Sequence, residues 1–363
     1  MGTHCFVAVA MTLALVTPAL ATVSVRDFGA VGDDKADDSA AFNRALAKCA
    51  GELFVPAGRY HVAGVKVPDG TLVRGVGVKS VIVMPPDVEA AILPGNDCTL
   101  TGLRFIGSPA DKASPIQKGL VLLRYVSGVT LTGLVFEDSP RSGIITDHAK
   151  YFRITDSRFS GVAIGIHLVF SDHGLVSGNF VRDAKTHGIQ FWGNWEFRSK
   201  ESSDLVLTGN HIQNAGGGGI WGTGGVRVVM SGNVVDGAGD VGLDYEWCDD
   251  SSIVGNTVRN AVNAGISLFY GCENIAISGN SVVVTEGKEG LRYGIWLTDP
   301  DRPKFPQDLG HRVIAITGNT VRVEGAKPGH ALCIGADSHD LALVGNLLAN
   351  GDVVDHTGKV QVR

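Results

Sequence analysis

The sequence predicts an all-β protein built as a solenoid of stacked coils, and three observations carry that prediction. A Gly-Asn step recurs inside apolar strands at Asn179, Asn210, Asn233, Asn256, Asn280, Asn319 and Asn346, with gaps of 31, 23, 23, 24, 39 and 27 residues. A base unit repeated with insertions marks an architecture in which each unit stacks on its neighbours. The units also read alike: Ile253-Val254-Gly255-Asn256-Thr257-Val258, a polar stretch, then Gly265-Ile266-Ser267-Leu268-Phe269. Each therefore holds two or three short strands joined by tight turns. Composition agrees, since 49 Gly and only 19% charged residues suit many turns and few solvated helices.

The turn Asn has its own physical role. In stacked coils each side-chain amide reaches the Asn above and below, so a polar group inside the stack is satisfied by its own repeat. The repeat runs almost to the C-terminus, which predicts one elongated domain over residues 22–363 rather than two domains.

Residues 1–21 read as a secretory signal peptide. An apolar stretch from Phe6 to Val16 precedes Pro18 and the small-residue site Ala19-Leu20-Ala21, with cleavage expected before Thr22. The stretch is too short for a membrane span, so the expected location is secreted or periplasmic. A net charge of −6 without a basic cluster argues against a nucleic-acid partner. Cys49, Cys98, Cys248, Cys272 and Cys333 remain after cleavage, an odd number that implies no full disulfide framework. Cys248 and Cys272 fall at similar places on successive coils, either as a bridge or as small apolar residues at corners. No spacing suggests zinc.

The mature chain opens with Asp27-Phe28-Gly29-Ala30-Val31-Gly32-Asp33. A helix follows over about Asp38 to Cys49, with Ala41, Phe42, Ala45, Leu46 and Cys49 on one face, and then comes Phe54-Val55-Pro56-Ala57-Gly58-Arg59-Tyr60. An apolar helical face of this kind would cover an otherwise open solenoid end. This opening, with the repeats from about 98 to 350, resembles the pectate-lyase-like superfamily, and more narrowly its rhamnogalacturonase/epimerase-like pectate lyase group. The resemblance implies a right-handed, single-stranded parallel β-helix of about 10–11 coils with an N-terminal capping helix. It does not fix a reaction, because this scaffold carries hydrolases, lyases, epimerases and non-catalytic tailspikes.

Candidate site residues follow from strand alternation. The Gly-Ile strands align as Gly143-Ile144, Gly165-Ile166, Gly188-Ile189, Gly219-Ile220, Gly242-Leu243, Gly265-Ile266 and Gly294-Ile295, with the Ile and Leu turned inward. The outward columns are then Ile145, His167, Gln190, Trp221, Asp244, Ser267, Trp296 and Asp147, Val169, Trp192, Thr223, Glu246, Phe269, Thr298. Large rigid aromatics on a solvent face usually cover a ligand, and sugars suit them because their C–H faces pack on π-faces. The expected partner is a polysaccharide or oligosaccharide. Its expected contacts are Trp192, Trp221, Phe269, Trp296, Gln190 and His167, with Trp195 and Arg198 from the insertion Gly193–Ser203. A second insertion, Asp299–Gly310, is expected to wall the same face.

Asp244 and Glu246 are the candidate catalytic pair. Two residues apart on one strand, they share a face with Cα atoms roughly 6.5–7 Å apart. Two close carboxyls should titrate apart, giving the acid and the base or nucleophile that glycoside hydrolysis requires. Asp249 and Asp250 follow in the turn, either structural or completing an acidic cluster. Asp147 lies four coils away, on the order of 19 Å, and is expected to be a subsite contact or a surface acid.

The polygalacturonase-type Gly-His-Gly and Arg-Ile-Lys motifs and the epimerase-type Asp-Pro-His-Asp motif are absent. The favoured expectation is a hydrolase without a cofactor. A uronate lyase or epimerase is the alternative, with Ca²⁺ held by acids such as Asp249 and Asp250 and a base among Arg198, Lys200, Arg292 and Arg302. A non-catalytic glycan-binding β-helix is the third.

Overall fold

The structure is a computed structural model, and it describes residues 22–112, 118–193, 201–285, 292–325 and 329–358. Three parallel sheets run the length of the molecule, and each coil contributes one short strand to each. The first sheet runs from Thr22–Ser24 to His339–Val344, the second from Asp33–Asp37 to Leu347–Ala349, and the third from Val65–Val67 to Asp352–Asp355. The first two sheets carry 13 strands along their main paths, so the coils number about 13 rather than 10–11.

The extra coils lie towards the N-terminus, where the turn is not written Gly-Asn. The ladder position there is Ser157, whose Oγ accepts from the N–H of Leu134, and whose own N–H donates to Asn179 Oδ1 at 3.1 Å. Counting Gly-Asn steps therefore undercounts coils.

From Asn179 onward the amides form an unbroken chain. Asn256 is typical. Its Oδ1 accepts from both the N–H and the Nδ2 of Asn233, at 2.8 and 3.0 Å, while its Nδ2 donates to Asn280 Oδ1 and to the Met230 carbonyl, both at 3.0 Å. The same pattern continues through Asn280 and Asn319 to Asn346. Every buried donor in the turn finds a partner one coil away.

A column of glycines fixes the neighbouring corner. A Cβ on Gly188, Gly219, Gly242 or Gly265 would stand 2.5–2.8 Å from the carbonyl oxygen of the next glycine in the column, and 2.2–2.6 Å from an inward Val or Ile of the second sheet. Only glycine lets the chain pass so close, and this explains the recurring Gly-Ile signature. Ile144, Ile166, Ile189, Ile220, Leu243, Ile266 and Ile295 all point into the core, as expected.

The helix spans Ser39–Leu46 and buries Ala41, Phe42, Ala45 and Leu46. It packs on the first strands of the first and third sheets, Thr22–Ser24 and Val65–Val67. No disulfide joins Cys248 and Cys272. The Cys248 Sγ accepts from the N–H of Gly225 at 3.3 Å, and the Cys272 Sγ from the N–H of Cys248 at 3.4 Å. His311 Nδ1 extends this second ladder by accepting from Cys272 N–H at 3.1 Å.

Asn256→Ala should cost about 2–4 kcal/mol, because it strands buried groups on both neighbouring coils. Asn346→Ala, at the end of the ladder, should cost about 1 kcal/mol. Denaturant unfolding of the two variants checks the contrast, and equal losses would mean that the ladder does not act as a chain.

Candidate active site on the third sheet

The site stands on the outer face of the third sheet, around the strand Val241–Glu246. Tyr245 points inward, and its hydroxyl stands 2.9 Å from the backbone carbonyls of both Val228 and Ser252, which share its one proton. This anchors the strand and turns Asp244 and Glu246 to the outer face. Register sets their neighbours: Trp221 and Ser267 flank Asp244, while Thr223 and Phe269 flank Glu246.

Asp244 is only 2% exposed, and its Oδ1 has no hydrogen-bond partner among the described residues. Burial holds its carboxyl well above the usual carboxylate range, helped by the charges of Glu246 and Asp240. Glu246 is half-buried and accepts a hydrogen bond from Trp221 Nε1 at 3.2 Å. Burial pushes its pKa up to about 7; Asp240 adds to the rise, while the Trp221 N–H and the Lys304 charge oppose it. The pair therefore shares protons through neutrality. Glu246, with a donor and a nearby cation, loses its proton first.

Aromatic rings extend from the pair in both directions. On one side Trp221 stacks on His187 with centroids 5.3 Å apart and lies 5.6 Å from Trp192. On the other, Phe269 meets Trp296 at 5.5 Å, and Trp296 stacks on Tyr293 at 4.2 Å. The insertion Asp299–Gly310 forms a wall here, with Phe305 set edge-on to Tyr270 at 4.5 Å. Lys304 lies over the Phe305 ring.

Two expected contacts are buried, as Asp244 is. His167 and Gln190 occupy the outward column, yet His167 is 0% and Gln190 4% exposed. Burial drives the His167 pKa down to about 3, so the imidazole is neutral. Trp192, Trp221, Phe269 and Trp296 are partly exposed and stand where the alternation placed them. Trp195 and Arg198, with Lys200, lie outside the described residues.

Asp249 and Asp250 turn away from the pair, because the chain rounds a corner after Glu246 and enters the first sheet. Asp250 accepts from Asn274 Nδ2 at 2.8 Å. Asp249 lines a separate pocket of about 200 Å³ with Trp247, Tyr270 and Phe305. Among the described residues no group of three or more His, Cys, Asp or Glu side chains converges. The donor set suggested for Ca²⁺ does not fit.

The arginines considered as bases are also engaged elsewhere. Buried Arg292 donates to the Glu324 carbonyl at 3.0 Å, and Arg302 to the Asp308 carbonyl and to Asp337.

Sequence reading missed His187, Asp240, Tyr270, Tyr293 and Lys304. His187 and Asp240 lie in the turns before their Gly-Ile strands. His187 Nδ1 accepts from the N–H of Gly218 at 2.9 Å, and Asp240 from Asn263 Nδ2 at 2.6 Å. Tyr270 directly follows Phe269 at a corner, with φ of 61°. The alternation rule covers strand residues only, so none of the turn residues was reachable by it.

Comparison with known proteins agrees with this geometry. The family model for the right-handed β-helix region matches residues 91–246 and 142–305, together more than half of the chain. The model described as rhamnogalacturonase A/epimerase, pectate lyase-like, matches residues 22–89. The chain belongs to the right-handed β-helix family.

Among solved structures, it is similar to the A-module of the Azotobacter vinelandii mannuronan C-5 epimerase AlgE4. The TM-score is 0.71 at 16% identity, covering 94% of this chain and 99% of that one. It is also similar to an exopolygalacturonase from Thermotoga maritima, with a TM-score of 0.62 at 16% identity, covering 90% and 92%. Identities this low speak for the fold alone. A 62-residue stretch is 39% identical to the pre-neck appendage protein of Bacillus phage B103, spanning 17% of this chain and 7% of that protein. Among the described residues no helix is long and apolar enough to cross a membrane.

The raised carboxyl pKa values set a pH dependence. The unfolded chain ionises both carboxyls near pH 4, whereas the folded pair holds its protons. Stability contributed by Glu246 is therefore complete below that pH and is lost as pH rises to about 7. Thermal melts from pH 4 to pH 8 should show this decline, and Glu246→Gln should flatten it. Trp221→Phe removes the N–H that favours the charged form and should move the decline to higher pH.

Proposed function

We propose that this protein is a secreted carbohydrate-active enzyme that hydrolyses glycosidic bonds of a polysaccharide or oligosaccharide laid along the third sheet. The observation that carries this reading is the Asp244/Glu246 pair, the one buried and the other half-buried, sharing protons near neutrality and flanked on both sides by partly exposed aromatic rings. Perturbed carboxyls in an aromatic cleft are the physical signature of acid–base work on a sugar.

Asp244, the more deeply buried, keeps its proton and gives it to the leaving oxygen as the bond to the anomeric carbon breaks. Glu246, charged above about pH 7, attacks that carbon or deprotonates the water that does. One water is consumed overall and the proton returns to the pair. Trp221 has two tasks here, holding Glu246 through its N–H and offering its ring to the sugar.

A second reading has its own observation. Lys304 is close enough to Glu246 to act on its titration, and an ammonium beside the cleft suits a uronate carboxylate. Lysine is also a competent base when its proton is labile, so a lyase or epimerase remains the alternative. The epimerase and polygalacturonase named among the structural neighbours act, by their names, on uronate polymers. Arg292 and Arg302, turned to other partners, lend that alternative no base.

The test is digestion of a panel of galacturonan, mannuronan, β-glucan, β-mannan and galactan. It is read for new reducing ends and for the ultraviolet absorbance of unsaturated uronides. Hydrolysis predicts reducing ends without absorbance, reduced at least 100-fold in Asp244→Asn and Glu246→Gln, a loss typical of removing an acid–base group. Absorbance that disappears in Lys304→Ala would replace hydrolysis by elimination. Binding by both carboxylate variants, with no product from the wild-type protein, would make the molecule a glycan-binding β-helix.

A further inference from the structure

A second groove lies on the same sheet, towards the N-terminus, around Asp147. Its volume is about 380 Å³, and Glu89, Lys118, Arg124, Asp147, Ile145 and Phe170 are among its lining residues. The floor is apolar: Leu122 and Ile145 belong to a small cluster with Ala90 on the outer face, separate from the core. Above it stands a charged rim, where Arg124 Nε donates to Asp147 Oδ2 at 2.9 Å and the Arg124 guanidinium also meets Glu89.

An aromatic row runs along the corner beside the groove, in the left-handed backbone conformation that recurs at Trp247 and Tyr270. Tyr125, His148 and Phe170 each follow the last residue of a third-sheet strand and sit at φ of 53°, 54° and 46°. Such angles are uncommon for bulky residues and cost energy. The three rings nonetheless form a ladder, Tyr125 stacked on His148 at 4.7 Å and His148 against Phe170 at 5.2 Å. His148 Nδ1 is hydrogen-bonded to Asp147 Oδ1 at 2.7 Å, which fixes its ring. Tyr125 is 70% exposed.

Register joins this groove to the carboxylate pair. Asp147, Val169, Trp192, Thr223 and Glu246 are consecutive partners in one column, so Asp147 lies four coils from Glu246, about 19 Å at strand spacing. Along that line Phe170, Trp192 and Trp221 keep an aromatic edge in almost every coil. The Phe170 N–H even donates to the Trp192 carbonyl, at 2.9 Å.

We propose that the groove lined by Phe170 and rimmed by Arg124 and Asp147 is a distal subsite for the same glycan, holding sugar rings several units from the bond that is cut. It takes a sugar by its C–H face on Phe170 and by its hydroxyls on the Arg124–Asp147–Glu89 rim. The proposal rests on the glycan reading above and deepens it: the substrate is a chain long enough to span both sites. A short oligosaccharide that fills only the carboxylate site gains nothing from the distal groove.

The experiment measures binding of disaccharides and octasaccharides of the same five glycans by calorimetry, in a Glu246→Gln background that prevents turnover. For the glycan bound, the octasaccharide should bind at least tenfold more tightly than the disaccharide. Phe170→Ala and Asp147→Ala should each weaken the octasaccharide about three- to tenfold, the value of a ring or polar contact, and leave the disaccharide unchanged. Phe170→Tyr, which keeps a ring, should retain octasaccharide affinity and so separates contact from folding. Octasaccharide binding unaffected by Phe170→Ala and Asp147→Ala, or disaccharide binding lost in parallel, overturns the distal subsite and leaves the carboxylate reading standing. If neither length of any of the five binds, and the wild-type protein cleaves none of the polymers, the glycan reading and the subsite fall together.

Discussion

Everything functional in this molecule depends on the vertical register of its coils. Parallel pairing on three sides places residue upon equivalent residue, and two columns keep that register from slipping. The asparagine chain satisfies the turn on one side through side-chain amides that bond to one another and each to a backbone carbonyl. The glycine column at another corner lets adjacent backbones pass at a distance no side chain would permit. A one-residue slip would turn every inward side chain outward, and it would also break both columns. Register is therefore overdetermined, and outer-face residues inherit fixed positions along the axis.

That fixed geometry allows charged groups to be held in an unfavourable state. Asp244 and Glu246 are forced onto one strand, facing the same way, beneath large rings. Leaving both ionised there would be costly, so the pair retains protons far above the ordinary range. The stability lost is supplied by the core and the ladders. Local cost offset by a rigid scaffold is a common condition of catalytic sites. The Tyr125–His148–Phe170 corners show the same arrangement, where backbone angles uncommon for bulky residues are maintained by the coils above and below.

Much of this was legible in the residues. The Gly-Asn period gave the solenoid, and alternation within the Gly-Ile strands gave the face, the pair and four of the aromatic residues beside it. Both succeed because a strand has a strict period of two, and a stacked repeat copies it from coil to coil. The misses have equally definite causes. The coil number was undercounted because Ser157 continues the ladder under another residue type. His167 and Gln190 point outward but are covered, since alternation gives direction and says nothing of what packs above. His187, Asp240, Tyr270 and Lys304 lie in turns or an insertion, where no period operates.

The central claim is that Asp244 and Glu246 add water across a glycosidic bond. The most direct measurement is mass spectrometry of the products formed in water enriched in heavy oxygen, with the glycan that the protein cleaves. Hydrolysis predicts one heavy oxygen per bond cleaved, in the product that carries the new reducing end, and no such product from Glu246→Gln. Products that carry no heavy oxygen and are lighter by one water would contradict the account and assign the pair to an elimination.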